Sequence, residues 1–222
     1  MAVQSAPMQA INIGPGYLRA KRFLDIAFTL LILPLILFVS AIVIVLIRLD
    51  SKGPILYRQK RVGQNGVEFE MLKFRSMHVD NDDSVHREAI KQYMNGEALN
   101  SDSAMPYKIS CDSRITRVGK IIRKTSIDEL PQFWNVLRGQ MSLVGPRPPL
   151  PYETELYTAH EWLRLSGKPG LTGFWQIYGR SKVSFQEMIE MDLAYLQRQS
   201  LWEDIRLIVL TIPVMLLARG GA

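Results

Sequence analysis

Asp128 and Glu129 stand side by side in the run Arg123-Lys124-Thr125-Ser126-Ile127-Asp128-Glu129-Leu130-Pro131-Gln132, just behind two cations and at what reads as a helix start. An ionised carboxylate there can attack an electrophile or hold a divalent ion. The free N–H groups of a helix N-terminus also gather anions, and Arg123 is near enough in sequence to hold a phosphate. The same spacing has a structural reading. Ser126 and Glu129 are spaced as a capping box, and acids are favoured in a first helical turn without any chemistry. A helix starting at Ser126 would carry Pro131 inside it. A later start, with Asp128 near the cap, puts Pro131 in the tolerated first turn.

Two further basic motifs suit a phosphate-bearing substrate. Lys73-Phe74-Arg75-Ser76-Met77 ends a predicted strand and sets Lys73 and Arg75 on one face. Gly145-Pro146-Arg147-Pro148 holds Arg147 in a stiff turn, which lowers the entropy lost when it grips an oxyanion. These cations sit in separate short motifs near turns. A nucleic-acid binder would interleave them with exposed aromatics along one stripe, so a compact diphosphate is expected and no nucleic acid. Cys111 is the single cysteine, which excludes an intrachain disulfide, and His78, His86 and His160 lack the paired spacing of a zinc site.

The elements that must carry these residues divide into a membrane part and a small α/β part. Ile26 to Ile47 is a run of 22 residues without a formal charge, about 30 Å as a straight helix and so the depth of a hydrocarbon core. Cations flank it on both sides: Arg19, Lys21 and Arg22 before, Arg48, Lys52, Arg58, Lys60 and Arg61 after. Positive charge marks the cytoplasmic side, and Pro34 near the middle removes a backbone hydrogen bond and bends a helix. A re-entrant helix turning at Pro34 reconciles both facts; a kinked spanning helix is the alternative. Asp25 is expected to pair with Lys21 or Arg22, or to cap the helix. The net charge of +6 suits anionic partners, among them an acidic lipid surface.

In the remainder, Ile55–Val62 and Val67–Phe74 flank Gly63–Gly66 as a hairpin. Asp80–Asp83 reads as a loop, Val85–Met94 as a short helix and Asn95–Pro106 as a flexible surface insertion. Helices are expected over Arg117–Ile122, from Thr125-Ser126 to about Leu137 before Gly139, over Tyr152–Leu165 and over Phe185–Arg198. Gly167–Gly173 reads as a Gly/Pro loop. Leu207–Ala218 is too short to span and reads as an interfacial helix or a C-terminal core helix. The expected fold class is α/β and helix-rich: a flexible N-terminus over 1–20, a re-entrant membrane helix over 21–49, and a small cytoplasmic catalytic domain over 50–222 ending in an interfacial helix.

Taken in order, Lys21-Arg22 with Asp25, Lys73-Phe74-Arg75-Ser76-Met77, Thr125 to Gln132, Gly145-Pro146-Arg147-Pro148 and Lys168-Pro169-Gly170-Leu171-Thr172-Gly173 closely resemble the bacterial sugar transferase family. These are the monotopic phosphoglycosyl transferases that begin exopolysaccharide, O-antigen or glycoprotein glycan assembly. The resemblance runs over about residues 19 to 218. It implies a re-entrant helix broken at a proline, here Pro34 in Leu33-Pro34 where many relatives have Ser-Pro, and a catalytic domain at the inner face of the bacterial inner membrane with both termini cytoplasmic. It implies Mg²⁺, a UDP-sugar donor and an undecaprenyl phosphate acceptor. Asp128 would be the nucleophile and a metal ligand, Glu129 would assist through the metal or at the acceptor, and Lys73, Arg75, Arg123 and Arg147 would contact phosphates. Gly173-Phe174-Trp175-Gln176 followed by Gly179-Arg180-Ser181 looks more like the hexose-transferring branch, hence glucose or galactose. The alternatives are a glycosyltransferase that releases nucleoside diphosphate and a non-catalytic membrane scaffold of the same fold. Membrane lipids are expected partners, and self-association is left open.

Overall fold

The computed structural model describes residues 14–78, 84–95, 114–179 and 183–216. Its first element, α1 (Pro15–Asp50), is 36 residues long and starts with proline at its first turn, where the missing N–H costs nothing. It therefore begins earlier than the expected 21–49; residues 1–13 of the expected flexible terminus lie outside the described residues. Its most apolar stretch has a mean hydropathy of 3.3 and is only 17% buried, so this is not the covered helix of a soluble core. The helix is long and apolar enough to cross a membrane.

Pro34 does not end α1, which continues helical on both sides of it. A proline removes one N–H and crowds one carbonyl, so the expected break is contained within a continuous helix. The two ends of α1 pack on the rest of the chain, and in the middle Ile36 is the one buried residue between Leu30 and Ile42. Near the start, Lys21, Asp25 and Thr29 are buried, and near the end Val43 and Ile47, whereas Leu31, Leu35, Leu37 and Phe38 are exposed.

Strands β1 (Leu56–Val62) and β2 (Glu68–Phe74) form the expected antiparallel hairpin, in register from Leu56 opposite Phe74 to Val62 opposite Glu68. Asn65 and Gly66 turn the tip with φ of 56° and 81°, the left-handed region that Asn and Gly tolerate best. Helix α2 (Ser84–Met94) follows; the expected loop over 80–83 and insertion over 95–106 lie, apart from Asn95, outside the described residues. Helix α3 (Arg117–Lys124) is capped by the Thr116 hydroxyl, which accepts from Gly119 N at 2.9 Å. Next come α4 (Gln132–Leu137), closed by Gly139 at φ 77°, and β3 (Ser142–Val144).

Tyr152–Leu165 is not one helix. It divides into α5 (Pro151–Thr154), α6 (Ala159–Trp162) and a 3₁₀ turn over Leu163–Ser166, because Thr158 caps α6 with a full capping box and so restarts the chain. The expected Gly/Pro loop contains a strand, β4 (Gly170–Thr172), which pairs in parallel with β3. Glycine makes this pairing possible: a Cβ on Gly145 would meet Lys168 O at 2.2 Å, and one on Gly170 would meet Gly145 N at 2.1 Å. Helices α7 (Phe185–Arg198), with a Ser184–Glu187 capping box, and α8 (Leu201–Leu216) complete the chain. The last helix packs one side into the core, with Asp204 and Leu207 fully buried, while Trp202, Ile205, Val209 and Ile212 are exposed at helical spacing along one stripe.

The main core gathers Phe69 and Met71 of β2, Val136 of α4, Leu143 and Val144 of β3, Tyr195 and Leu196 of α7 and Leu207 of α8. A smaller cluster joins Val43 and Ile47 of α1 to Phe74 and Ile122, with Ile127 and Leu130 packed against it.

Candidate active site

Ile127, Asp128 and Glu129 form a 3₁₀ turn entered through Ser126 at φ 57° and ψ 16°. In such a turn residues three apart lie on one side. Ile127 and Leu130 thus face the cluster beneath, next to the end of α1, and the two acids between them face away from it. The capping-box reading fails here, because the left-handed Ser126 makes no side-chain cap and Glu129 turns elsewhere. The start is later than either reading placed it: Asp128 lies in the separate 3₁₀ turn, and Pro131 is the N-cap of α4 rather than a residue of its first turn. A serine in the left-handed region is uncommon and costs conformational energy, and it sits directly before the paired acids.

The two acids differ in their partners. Glu129 accepts from Lys73 Nζ at 2.8 Å, while Asp128 makes no ion pair among the described residues. Burial opposes ionisation of Glu129, but Lys73, Arg147 and Arg61 outweigh it and hold its carboxyl down at about 2. For Asp128 burial comes first and the Glu129 charge adds to it, against Lys73 and Arg123, so its carboxyl is raised to about 6. The pair thus consists of one fixed anion and one group that titrates near neutrality.

Lys73, Arg123 and Arg147 all lie close enough to this turn to act on the charge of Asp128 or Glu129. Arg147 is the one part-exposed residue in the buried stretch 141–150, and its guanidinium lies 5.6 Å over the Trp175 ring. Trp175 is itself buried in the aromatic cluster with Tyr93, Tyr157 and Phe185, so its first role is to support that arginine. Arg75 does not join them. Strand β2 stops at Phe74, the side-chain alternation stops with it, and Arg75 folds back to donate to the carbonyls of Lys52 at 3.0 Å and Ser51 at 2.7 Å. It closes the C-terminal end of α1, where free carbonyls favour a cation. Asp25 also differs from expectation. It accepts from Ser142 Oγ and Leu143 N, both at 3.0 Å, while Lys21 pairs with Asp204 and Arg22 donates to the carbonyls of Val136 and Leu137.

A family model described as bacterial sugar transferase matches residues 16–218. The chain belongs to that family. Among its relatives, the galactosyl transferase CpsE of Streptococcus agalactiae is 46% identical over 207 residues, covering 93% of this chain and 44% of that protein. The exopolysaccharide production protein ExoY of Sinorhizobium fredii is 39% identical over 202 residues, 91% of this chain and 88% of its own length. A UDP-glucose:undecaprenyl-phosphate glucose-1-phosphate transferase of Caulobacter vibrioides is 37% identical over 204 residues, 88% of this chain and 69% of that protein. The chain therefore spans less than half of the first of these and most of the second.

Three residues of the site carry no motif signal of their own. Asn135, fully buried, accepts from Leu72 N and donates to Glu70 O, which ties α4 to the strand bearing Lys73. Arg164, buried, pairs with Asp192 and donates to Arg147 O at 2.9 Å, steadying the proline-rich turn. Arg61 donates to Pro148 O at 2.9 Å from β1; burial, with the nearby Arg147 charge adding to it, pulls its pKa down to about 10. A lone Arg or Asn within an ordinary strand or helix pattern gives sequence reasoning nothing to single out.

No group of three or more His, Cys, Asp or Glu side chains converges among the described residues, so the site offers no all-protein metal cage. It does fit Mg²⁺, which keeps several waters and needs only one or two carboxylates beside substrate phosphates.

Proposed function

We propose that this sugar transferase moves a hexose-1-phosphate, from UDP-glucose or UDP-galactose, onto undecaprenyl phosphate and releases UMP, through an aspartyl phosphosugar on Asp128. This is the first membrane step of an exopolysaccharide or related glycan, at the cytoplasmic face of the inner membrane. The observation that carries the reading is the division between the two acids: Glu129 is held by Lys73, and Asp128 is left unpaired beside Lys73 and Arg123. The names of the relatives supply the substrate class, one a galactosyl transferase and one acting on UDP-glucose and undecaprenyl phosphate.

In the first step an Asp128 carboxylate oxygen bonds to the β-phosphorus. The bond from that phosphorus to the bridging oxygen breaks, and the bridging oxygen leaves with its electron pair as part of UMP. An oxygen of the lipid phosphate then bonds to the same phosphorus, the aspartyl oxygen is expelled, and Asp128 returns as a carboxylate. Lys73, Arg123 and Arg147 offset the phosphate charge that would repel a carboxylate nucleophile. Glu129, held ionised by Lys73 and the nearby arginines, positions Lys73 and is available to a cation. Mg²⁺, held by Asp128 with Glu129 in reach, would screen the diphosphate.

The placement of the two ends of α1 supports the re-entrant course. In a straight helix Arg22 and Ile47 would lie about 37 Å apart, yet their partners are neighbours. Ile47 packs with Phe74, Leu72 two residues earlier is bonded to Asn135, and Val136 beside it accepts from Arg22. Both termini on the cytoplasmic side follow from that course, and tagged termini report it.

The test is the released nucleotide. Purified protein with Mg²⁺, undecaprenyl phosphate and each UDP-hexose should release UMP, and mass spectrometry should find the phosphosugar on Asp128. Release of UDP would identify the nucleoside-diphosphate-releasing glycosyltransferase instead, and no release with any sugar nucleotide would identify the scaffold.

A further inference from the structure

Arg61 and Arg147 are two cations of the same site held close together with no carboxylate within 4 Å of either guanidinium among the described residues. Arg61 is 5% exposed, and its fixed partners are neutral: Nε and one terminal nitrogen donate to Gln59 Oε1 at 3.1 and 2.7 Å, and the other terminal nitrogen to Pro148 O. A guanidinium has five N–H donors, so two remain beyond these bonds. Burying a charge beside a like charge is unfavourable unless an anion completes the arrangement.

Space for one is present. Arg61 and Arg147 line a cavity of about 60 Å³ together with Glu153, Trp175, Tyr93 and Phe185, and the indole Nε1 of Trp175 has no partner among the described residues. This volume holds a few water-sized groups, so a phosphate fits and a whole nucleoside does not. The cavity also lies away from the membrane helix. Helix α1 packs on α3, α4, β3 and α8, whereas the cavity is walled by α2, the proline-rich turn, α5 and α7. Arg123, near Asp128, lies in the last turn of α3, an element on which α1 packs.

We propose that Arg61, with Arg147, binds the phosphate that departs with the nucleoside, so that Arg61 is a substrate-binding residue. The assignment rests on the donor reading given above. A phosphate monoester could also come from the acceptor lipid, and position relative to α1 favours the nucleotide.

The decisive variant is Gln59→Glu. It keeps the acceptor and shape that brace Arg61 but gives that guanidinium a carboxylate of its own. Titration of the full chain in nanodiscs with UMP should then show affinity reduced about tenfold, the scale of a charge-assisted hydrogen bond, with uridine unaffected. Arg61→Lys, which keeps charge without the brace, should retain more UMP affinity than Arg61→Gln. Unchanged UMP binding in Gln59→Glu, or equal loss in Arg61→Lys and Arg61→Gln, overturns the proposal by reducing Arg61 to a brace. A raised KM for undecaprenyl phosphate with UMP affinity intact overturns it in favour of the lipid phosphate. Wild-type protein that transfers no sugar phosphate, while UMP binding is still weakened in Gln59→Glu, sinks the donor reading and upholds the site.

Discussion

The molecule treats charge in opposite ways in its frame and in its site. At the foot of α1, Lys21 bonds to Asp204 at 2.9 Å and to the Tyr195 hydroxyl, which in turn donates to Asp204 at 2.6 Å. Beneath the proline-rich turn, Arg164 is closed by Asp192, Tyr157 and a carbonyl. In both places buried charges meet opposite charges, which is the condition under which a buried ion is tolerated. Around Asp128 that condition is relaxed: an acid without an ion pair, and two neighbouring guanidinium groups braced by neutral partners. The buried ions of the frame, Lys21 and Arg164, have their counter-charges, and Asp128, Arg61 and Arg147 of the site make no ion pair among the described residues. The contrast says which charges hold the fold and which await a substrate.

Asp128→Asn should cut transfer by at least about a thousandfold while leaving the fold intact. Folding raises the Asp128 pKa, so its ionised form costs stability at neutral pH, and the neutral variant should melt at the same temperature or higher. A thermal scan beside the transfer assay checks both, and retained activity would end the contrast at its centre. Asp192→Asn should do the reverse. Stranding Arg164 in the core should cost about 3–5 kcal/mol, read as a large fall in melting temperature; a small fall would mean the frame is less closed than its contacts imply.

The pH profile sharpens the difference between the two acids. With Asp128 raised to about 6, kcat/KM should fall about tenfold per unit below that value and level off above it. Glu129→Gln removes the like charge that helps raise Asp128, so the acid limb should move to lower pH. A limb that stays in place would detach Glu129 from the titration of Asp128.

How much of this was legible follows from which interactions are local. The hairpin, α2, α3 and α7 could be read directly, since turn residues, caps and apolar period lie within a few positions of each other. The acids, Lys73, Arg123 and Arg147 could be read because they stand in compact motifs beside turns. Arg75 was misplaced because nothing in the sequence marks where β2 stops. The strand β4 reads as a loop in sequence because its short parallel pairing with β3 depends on glycines 25 residues apart, Gly145 and Gly170.

By itself the sequence determined a long apolar helix, a small α/β unit and the identity of the charged groups, because composition and short-range pattern are properties of neighbouring residues. Only the tertiary structure decided which charges are satisfied. It turned Arg75 and Arg22 onto carbonyls, gave Lys73 to Glu129 rather than Asp128, and brought Arg61 beside Arg147 from 86 positions away. Ion pairing depends on distances of a few ångströms between segments far apart in the chain, and those distances exist only once the core has packed.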